Sequence, residues 1–328
     1  MEYRPFGSTG IDVSAVSFGT APLGGLFGPV PFEQAREAVF AAVDLGVNLI
    51  DTSSYYGDAE ERLGRMTGEL PGDVLLATKA GRLGWDEFDF SREGIRRSLE
   101  RSLRLLGRDS VDVFQLHDID FRPLDPILGE ACEALQELKR EGKCRFVGMT
   151  CYSLPTTRRV MLETDVDVVL NYAHGTLLDD SLTAELAPIA RERGIALMNA
   201  AAVSLGILVP GVVERTEHNI ASGASLAAAQ RMARSAAERG VDIAFLANQY
   251  ALQRVDAATT VVGTTSLAHL RSAVDALSAP IDAEALAAAL AHRLPLAEQQ
   301  WVVGLPENED WSWLAERSSG PQAAATGN

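Results

Sequence analysis

Two hydrophobic periods alternate along the chain. Short runs of β-formers recur at Ala15–Thr20, Val47–Asp51, Asp73–Lys79, Val111–His117, Cys144–Thr150, Val166–Tyr172, Ile195–Ala200 and Thr259–Thr264. Runs of this length, apolar almost throughout, read as strands buried on both faces. Segments of helical period fill the gaps: Phe32–Leu45, Glu60–Met66, Ser91–Leu106, Pro126–Glu141, Thr156–Glu163 and Ser181–Arg193. Gly46, Gly107, Gly142 and Gly194 follow four of them, where a left-handed residue closes a helix. Eight βα units with right-handed crossovers predict an α/β fold, a (β/α)8 TIM barrel with every helix outside. A doubly wound open sheet is the alternative. It normally carries GxGxxG after its first strand, and this chain contains no Gly-x-Gly.

The ends of the chain depart from the repeat. Glu2–Phe6 and Ile11–Ser14 flank the turn-forming Gly7-Ser8-Thr9-Gly10, which predicts an N-terminal β-hairpin. The span 201–258, between the seventh and eighth strands, is longer than the others and holds two helices, Leu226–Arg239 and Ile243–Leu252. His218–Ser225, rich in Gly, Ser and Ala, is expected to be mobile. Asp282–His292 is helical, Trp301–Trp313 adds further tryptophans, and Arg317–Asn328 reads as a disordered tail. One domain is expected over 1–316, with 317–328 outside it.

Composition narrows the partners. Of 328 residues, 47% are apolar and 23% charged, enough apolar sequence for a large core. The net charge of −16 argues against nucleic acid or an anionic membrane surface, which require clustered Lys and Arg. A small-molecule substrate is compatible with it; oligomeric state is not indicated. Cys132, Cys144 and Cys151 match no zinc or disulfide spacing and read as reduced thiols in a cytoplasmic protein. No metal site is expected, since the five histidines form no His-x-His or His-rich cluster.

The chemistry gathers at strand ends. Val47–Ile50 stops at Asp51, and Tyr56 follows after small hydroxyl residues. Asp51 alone could be a helix cap. Other strand ends, however, carry Thr78-Lys79 and Gln115-Leu116-His117-Asp118, and in a barrel the carboxyl ends share one mouth. Asp, Tyr, Lys and His together suit proton transfer to a carbonyl oxygen coupled to hydride transfer. A tyrosine near pKa 10 needs help to act at neutral pH. A neighbouring Lys79 is expected to lower it, with Asp51 as that lysine's counter-ion. His117 would orient the substrate oxygen. None of the four supplies hydride, so a nicotinamide cofactor is required.

With those residues in place, the chain resembles the aldo-keto reductase superfamily over nearly its whole length. Asp51-Thr52-x-x-x-Tyr56-Gly57, Thr78-Lys79 and Leu116-His117 carry the resemblance, with Phe6-Gly7-x-Thr9-Gly10 and Ser17-Phe18-Gly19-Thr20 before them. It implies that Tyr56 is the general acid for reduction and, as phenolate, the base for oxidation. Ala21–Val30, Thr78–Arg82, Phe88–Ser91, His117–Phe121 and Leu138–Lys143 look most like the aldose 1-dehydrogenase branch, which includes L-galactose, L-fucose (D-threo-aldose) and pyridoxal 4-dehydrogenases. That branch implies oxidation of a sugar's C1 hydroxyl to a lactone. A reductase or dehydrogenase for a non-sugar is the second enzymatic reading, and a non-catalytic dinucleotide sensor is a reading from another class.

The resemblance also implies contacts. Gly19, Thr20, Asp51, Thr150, Cys151, Asn171, Ala200, Ser204, Leu205, Gly206, Gly263, Thr264, Thr265 and His269 stand at cofactor positions. Phe27, Tyr56, Trp85, His117 and Ile119 stand at substrate positions, and the Trp311–Trp313 tail is near them. NADP-dependent members place Lys and Arg after the eighth strand, where this chain has Gly263 and His269. A 2′-phosphate prefers a fixed cation, so NAD is expected, with NADP possible. Ala200–Gly206 lacks the proline of the family's pyrophosphate loop.

Overall fold

The protein's structure, a computed structural model, describes residues 1–209, 211, 223–296 and 304–314. Two short strands, β1 (Tyr3–Pro5) and β2 (Asp12–Ser14), pair antiparallel. Eight more follow: β3 (Val16–Gly19), β4 (Leu49–Asp51), β5 (Leu75–Ala80), β6 (Val111–Leu116), β7 (Cys144–Cys151), β8 (Val168–Tyr172), β9 (Ala196–Ala200) and β10 (Thr259–Val262). They close into a parallel barrel in the order β10-β3-β4-β5-β6-β7-β8-β9. Each of the eight expected apolar runs forms a strand.

Strand parity sorts the side chains into two cores. Leu49, Leu75, Ala77, Val113, Val168, Leu170, Ala196 and Met198 point into the barrel. Their neighbours Ile50, Leu76, Phe114, Val169 and Leu197 point out against the helices, as a period of two requires. Phe6 and Val13, carried by the hairpin, join the inner cluster, so the hairpin plugs one end of the barrel and leaves the carboxyl ends of the strands as the open mouth. Gly7 makes that plug possible. Its φ is +57°, and a Cβ there would lie 2.5 Å from the Ala196 nitrogen.

The helices start and stop where their caps dictate. The Ser91 hydroxyl accepts from the Gly94 amide ahead of the helix Arg92–Leu106, and Gly107 closes it at φ +63°. Gly194 closes Ala187–Arg193 at φ +70°. Two expected helices, Pro126–Glu141 and Ser181–Arg193, contain π-turns at Ile127–Ala131 and Leu182–Leu186. The helix Gly223–Ala237 begins before Leu226. Gly223–Ser225 therefore continues the Ala-rich helix instead of forming loop, because first-turn amides need no helical partner. The remainder of His218–Ser225, Trp301 and the tail from Arg317 lie outside the described residues. Among the described residues, no helix is long and apolar enough to cross a membrane.

The C-terminal segment returns to the mouth. The Leu305 amide and the Asn308 side-chain amide both donate to the Asp120 carbonyl at 2.8 Å. Trp311 and Trp313 stack at 6.3 Å, with the Arg158 guanidinium 5.0 Å from the Trp313 ring. Both indoles pack against the outer core.

Candidate active site

Parity explains why four polar side chains meet in an apolar barrel. Inward positions on β4 run Leu49, Asp51; on β5 they run Leu75, Ala77, Lys79; on β6 Val113 and Gln115 point inward, and His117 follows. The register sets Asp51 beside Ala77 and Lys79 beside Gln115. The inner core thus changes from apolar to ionic at its last layer. Lys79 is wholly buried, and its Nζ donates to Asp51 Oδ2 at 2.5 Å and to the Thr52 carbonyl at 2.8 Å. Gln115 Nε2 lies 3.4 Å from Asp51 Oδ1. Burial pushes the Asp51 carboxyl upward, while Lys79 and Gln115 pull it back.

Tyr56 and His117 complete the cluster. Their rings meet edge to face at 5.4 Å, and Lys79 Nζ stands 4.9 Å from the Tyr56 ring centroid. Gly24 and Gly57 set the position of Tyr56. A Cβ on Gly24 would fall 1.6 Å from the Tyr56 carbonyl oxygen, and one on Gly57, at φ +58°, would fall 2.1 Å from the Gly24 oxygen. The His117 Nδ1 pairs with Ser53 Oγ at 2.9 Å, and that oxygen also accepts from the Tyr55 amide. Burial lowers His117 to about 3, with Lys79 and Arg82 adding to the effect, so the ring is neutral.

The expected lowering of Tyr56 by Lys79 is not found. Burial, then the nearby Asp51 and Asp118 charges, hold Tyr56 well above its ordinary value, and the Tyr172 hydroxyl opposes them. The Lys79 charge is directed at Asp51 and at the face of the Tyr56 ring. Tyr56 is therefore a phenol at neutral pH.

Three residues that the resemblance implies as contacts are enclosed by the protein's own side chains. Ile119, Cys151 and Asn171 are fully buried. Ile119 and Cys151 turn into the outer core, and the Asn171 amide donates to the Cys151 carbonyl and to Thr157 Oγ1. Thr150 points inward, but its hydroxyl serves Asp118. Gly19, Thr20, Ala200 and Ser204 are also buried. The open residues are Leu205, Gly206, Gly263, Thr264, Thr265 and His269. All but His269, which lies in the first turn of the next helix, occupy the loops after adjacent strands β9 and β10. The second loop leads into the helix Leu267–Asp275, capped by Ser266. In (β/α)8 enzymes such loops and a helix N-terminus bind phosphate. Gly263 suits this place because a Cβ would crowd the Gly19 oxygen at 3.1 Å. These open residues and the helix N-terminus are where the phosphates of a dinucleotide could be held. Phe27 and Trp85 stand on the rim, 75% and 82% exposed.

Ser53, Gln115, Arg82 and Asp118 enter the site without having been assigned roles from the sequence. Ser53 is one of the small hydroxyl residues after Asp51, and its contact with His117 appears only when β4 and β6 are brought together. Arg82 and Asp118 lie in stretches that carried the resemblance, but only the structure pairs them.

Comparison with known proteins agrees with this geometry. Residues 15–293 match the model described as the aldo/keto reductase family. The chain is 36% identical over 320 residues to L-galactose dehydrogenase of Arabidopsis thaliana, covering 94% of this chain and 99% of that protein. It is 29% identical to pyridoxal 4-dehydrogenase of Microbacterium luteolum, covering 83% and 92%. An aldo-keto reductase from Bacillus halodurans, solved in its holo form, superposes with a TM-score of 0.76 at 24% identity, covering 94% of this chain and all of that one.

Proposed function

The chain belongs to the aldo/keto reductase family, and from that premise we propose that it oxidises the C1 hydroxyl of a free aldose, in its cyclic hemiacetal form, to the lactone with NAD. Nicotinamide-dependent oxidoreduction of a small carbonyl or alcohol is the family's chemistry; the sugar, the choice of NAD and the residue roles are the proposal. The observation that carries it is the buried set of Tyr56, His117, Lys79 and Asp51 at the mouth, with His117 neutral and Tyr56 protonated.

The roles follow from donors and acceptors. Ser53 Oγ accepts from the Tyr55 amide, and giving its own proton to His117 Nδ1 leaves Nε2–H as a donor to the substrate oxygen. Tyr56 handles the hydroxyl proton: it takes it in oxidation and returns it in reduction. Lys79 places its Nζ 4.9 Å from the Tyr56 ring centroid, so a positive charge lies near the phenol while its main partner is the Asp51 carboxylate. The nicotinamide supplies the hydride acceptor, with Leu205–Gly206 and Gly263–His269 holding its phosphates and adenosine. His269 in place of a fixed cation supports NAD over NADP.

A panel of aldoses and non-sugar aldehydes, run with NAD and NADP in parallel, tests the reading. NADH formation with L-galactose or L-fucose types, rising toward alkaline pH, is expected. Tyr56→Phe should lose turnover by about 10²–10⁴-fold yet still quench on dinucleotide binding. No aldose turnover with either dinucleotide would overturn the substrate assignment, and an active Tyr56→Phe enzyme would overturn the role of Tyr56.

A further inference from the structure

Beside the four residues above lies a second buried ion pair that the proton-transfer chemistry does not use. Arg82 follows β5, and Asp118 follows His117 at the end of β6. They are 6% and 2% exposed, with Arg82 Nη1 2.5 Å from Asp118 Oδ2. Burying two charges is costly, and an apolar pair of similar volume is often no less stable. The pair is also held at the cost of backbone strain. Asp118 adopts φ +52°, in the left-handed region that residues other than glycine enter uncommonly. Thr150 fixes it there, accepting from the Asp118 amide and donating to Asp118 Oδ1, both at 2.9 Å. The guanidinium lies against the rings of Tyr55 and Phe121, at 4.3 and 5.2 Å.

The pair faces the reacting centre. Asp118 Oδ1 stands 3.6 Å from His117 Nε2, the nitrogen that meets the substrate oxygen. Among the described residues, neither group is saturated. Arg82 gives Nε to the Gly84 carbonyl, Nη2 to the Trp85 carbonyl and Nη1 to Asp118, which leaves two of a guanidinium's five N–H groups. A carboxylate accepts about four hydrogen bonds, and the Asp118 side chain has its bonds from Arg82 and Thr150.

We propose that the Arg82–Asp118 pair is the sugar-recognising element of this site, binding the vicinal hydroxyls on C2, the carbon next to the one oxidised, and C3. This rests on the aldose reading above and specifies it. Asp118 only accepts and Arg82 only donates. The ligand must therefore offer a donor and an acceptor side by side, as two neighbouring hydroxyls do and a ring oxygen or plain aldehyde does not. Because Asp118 already neutralises Arg82, the pair selects neutral polyols and gives no advantage to a substrate carboxylate.

The test compares kcat/KM for the best aldose with its 2-deoxy analogue, in the wild type and in Asp118→Asn. A site that binds a substrate hydroxyl rejects the analogue lacking it, and a loss of at least about a hundredfold is expected in the wild type. In Asp118→Asn, folding being checked by circular dichroism, that ratio should collapse toward one, with the parent sugar's loss mainly in KM. The wild-type ratio needs no variant, so a misfolded Asp118→Asn does not remove the test. Equal turnover of parent and deoxy sugar by the wild type, or a full ratio retained in a folded variant, overturns the pair's role while leaving the aldose reading intact. No aldose turnover at all overturns both.

Discussion

The Asp51–Lys79 pair makes a quantitative demand on stability. The two groups are 3% and 0% exposed and 2.5 Å apart. At an effective dielectric of about 20, charges at that separation attract by about 7 kcal/mol, most of which offsets the cost of taking both out of water. Removing one partner leaves a buried, uncompensated charge and should cost about 3–5 kcal/mol. Asp51→Asn and Lys79→Met should each lower the melting temperature, by roughly 6–10 °C at about 2 °C per kcal/mol, the low end of the range because the chain is long. The double variant buries no charge and should be within about 2 kcal/mol of wild type, so the coupling energy from the cycle is several kcal/mol. Lys79→Met should also respond to pH. Burial already raises Asp51, and losing Lys79 raises it further. A group raised in the folded state contributes stability at low pH that is lost as pH rises through its folded value. Lys79→Met should therefore be least harmful near pH 5 and most harmful near pH 8. Thermal and denaturant unfolding of the four proteins at both pH values measure all of this. A double variant no more stable than the weaker single, or a coupling below about 1 kcal/mol, refutes the reasoning.

Three other outcomes are expected. His117, lowered to about 3, stays neutral through the working range, so kcat/KM for carbonyl reduction should be flat from about pH 5 to 7.5 around the ordinary histidine value; a limb near 6.5 that vanishes in His117→Gln would contradict this. Asp120, raised by burial to about 7, should make the protein lose stability as pH rises from about 4 to 7, and in Asp120→Asn the melting temperature should fall less between pH 5 and 8; an unchanged slope removes Asp120 as its source. Gly24→Ala places a methyl 1.6 Å from the Tyr56 carbonyl oxygen and should cut turnover at least about tenfold by displacing Tyr56, whereas Gly68→Ala, with open space around its Cβ, should be silent in the same assay.

What could be read from the sequence, and what could not, divides along one physical line. Strand identity is local: a run such as Val166–Tyr172 is apolar enough to declare itself, and eight such runs imply closure. Asp51, Lys79 and His117 were also accessible, because each ends its own strand and strand ends share a mouth. The side a residue faces is less local. Asn171 and Cys151 sit near the mouth, and only the parity set by Val168 and Leu170 turns Asn171 outward onto Thr157. Ionisation is less local still. Lys79 is adjacent to Tyr56, as expected, yet its effect on the phenol depends on where its charge is directed, and a 2.5 Å bond to Asp51 directs it elsewhere. Arg82 and Asp118 are the extreme case. Their pairing joins residues 36 apart in sequence through the left-handed turn at Asp118, and neither propensity nor spacing encodes a turn that a side chain must be strained to make. Catalytic residues in a barrel can thus be inferred from the strand ends that carry them. The Arg82–Asp118 pairing depends on loop conformation, and it becomes visible only when β5 and β6 are set side by side.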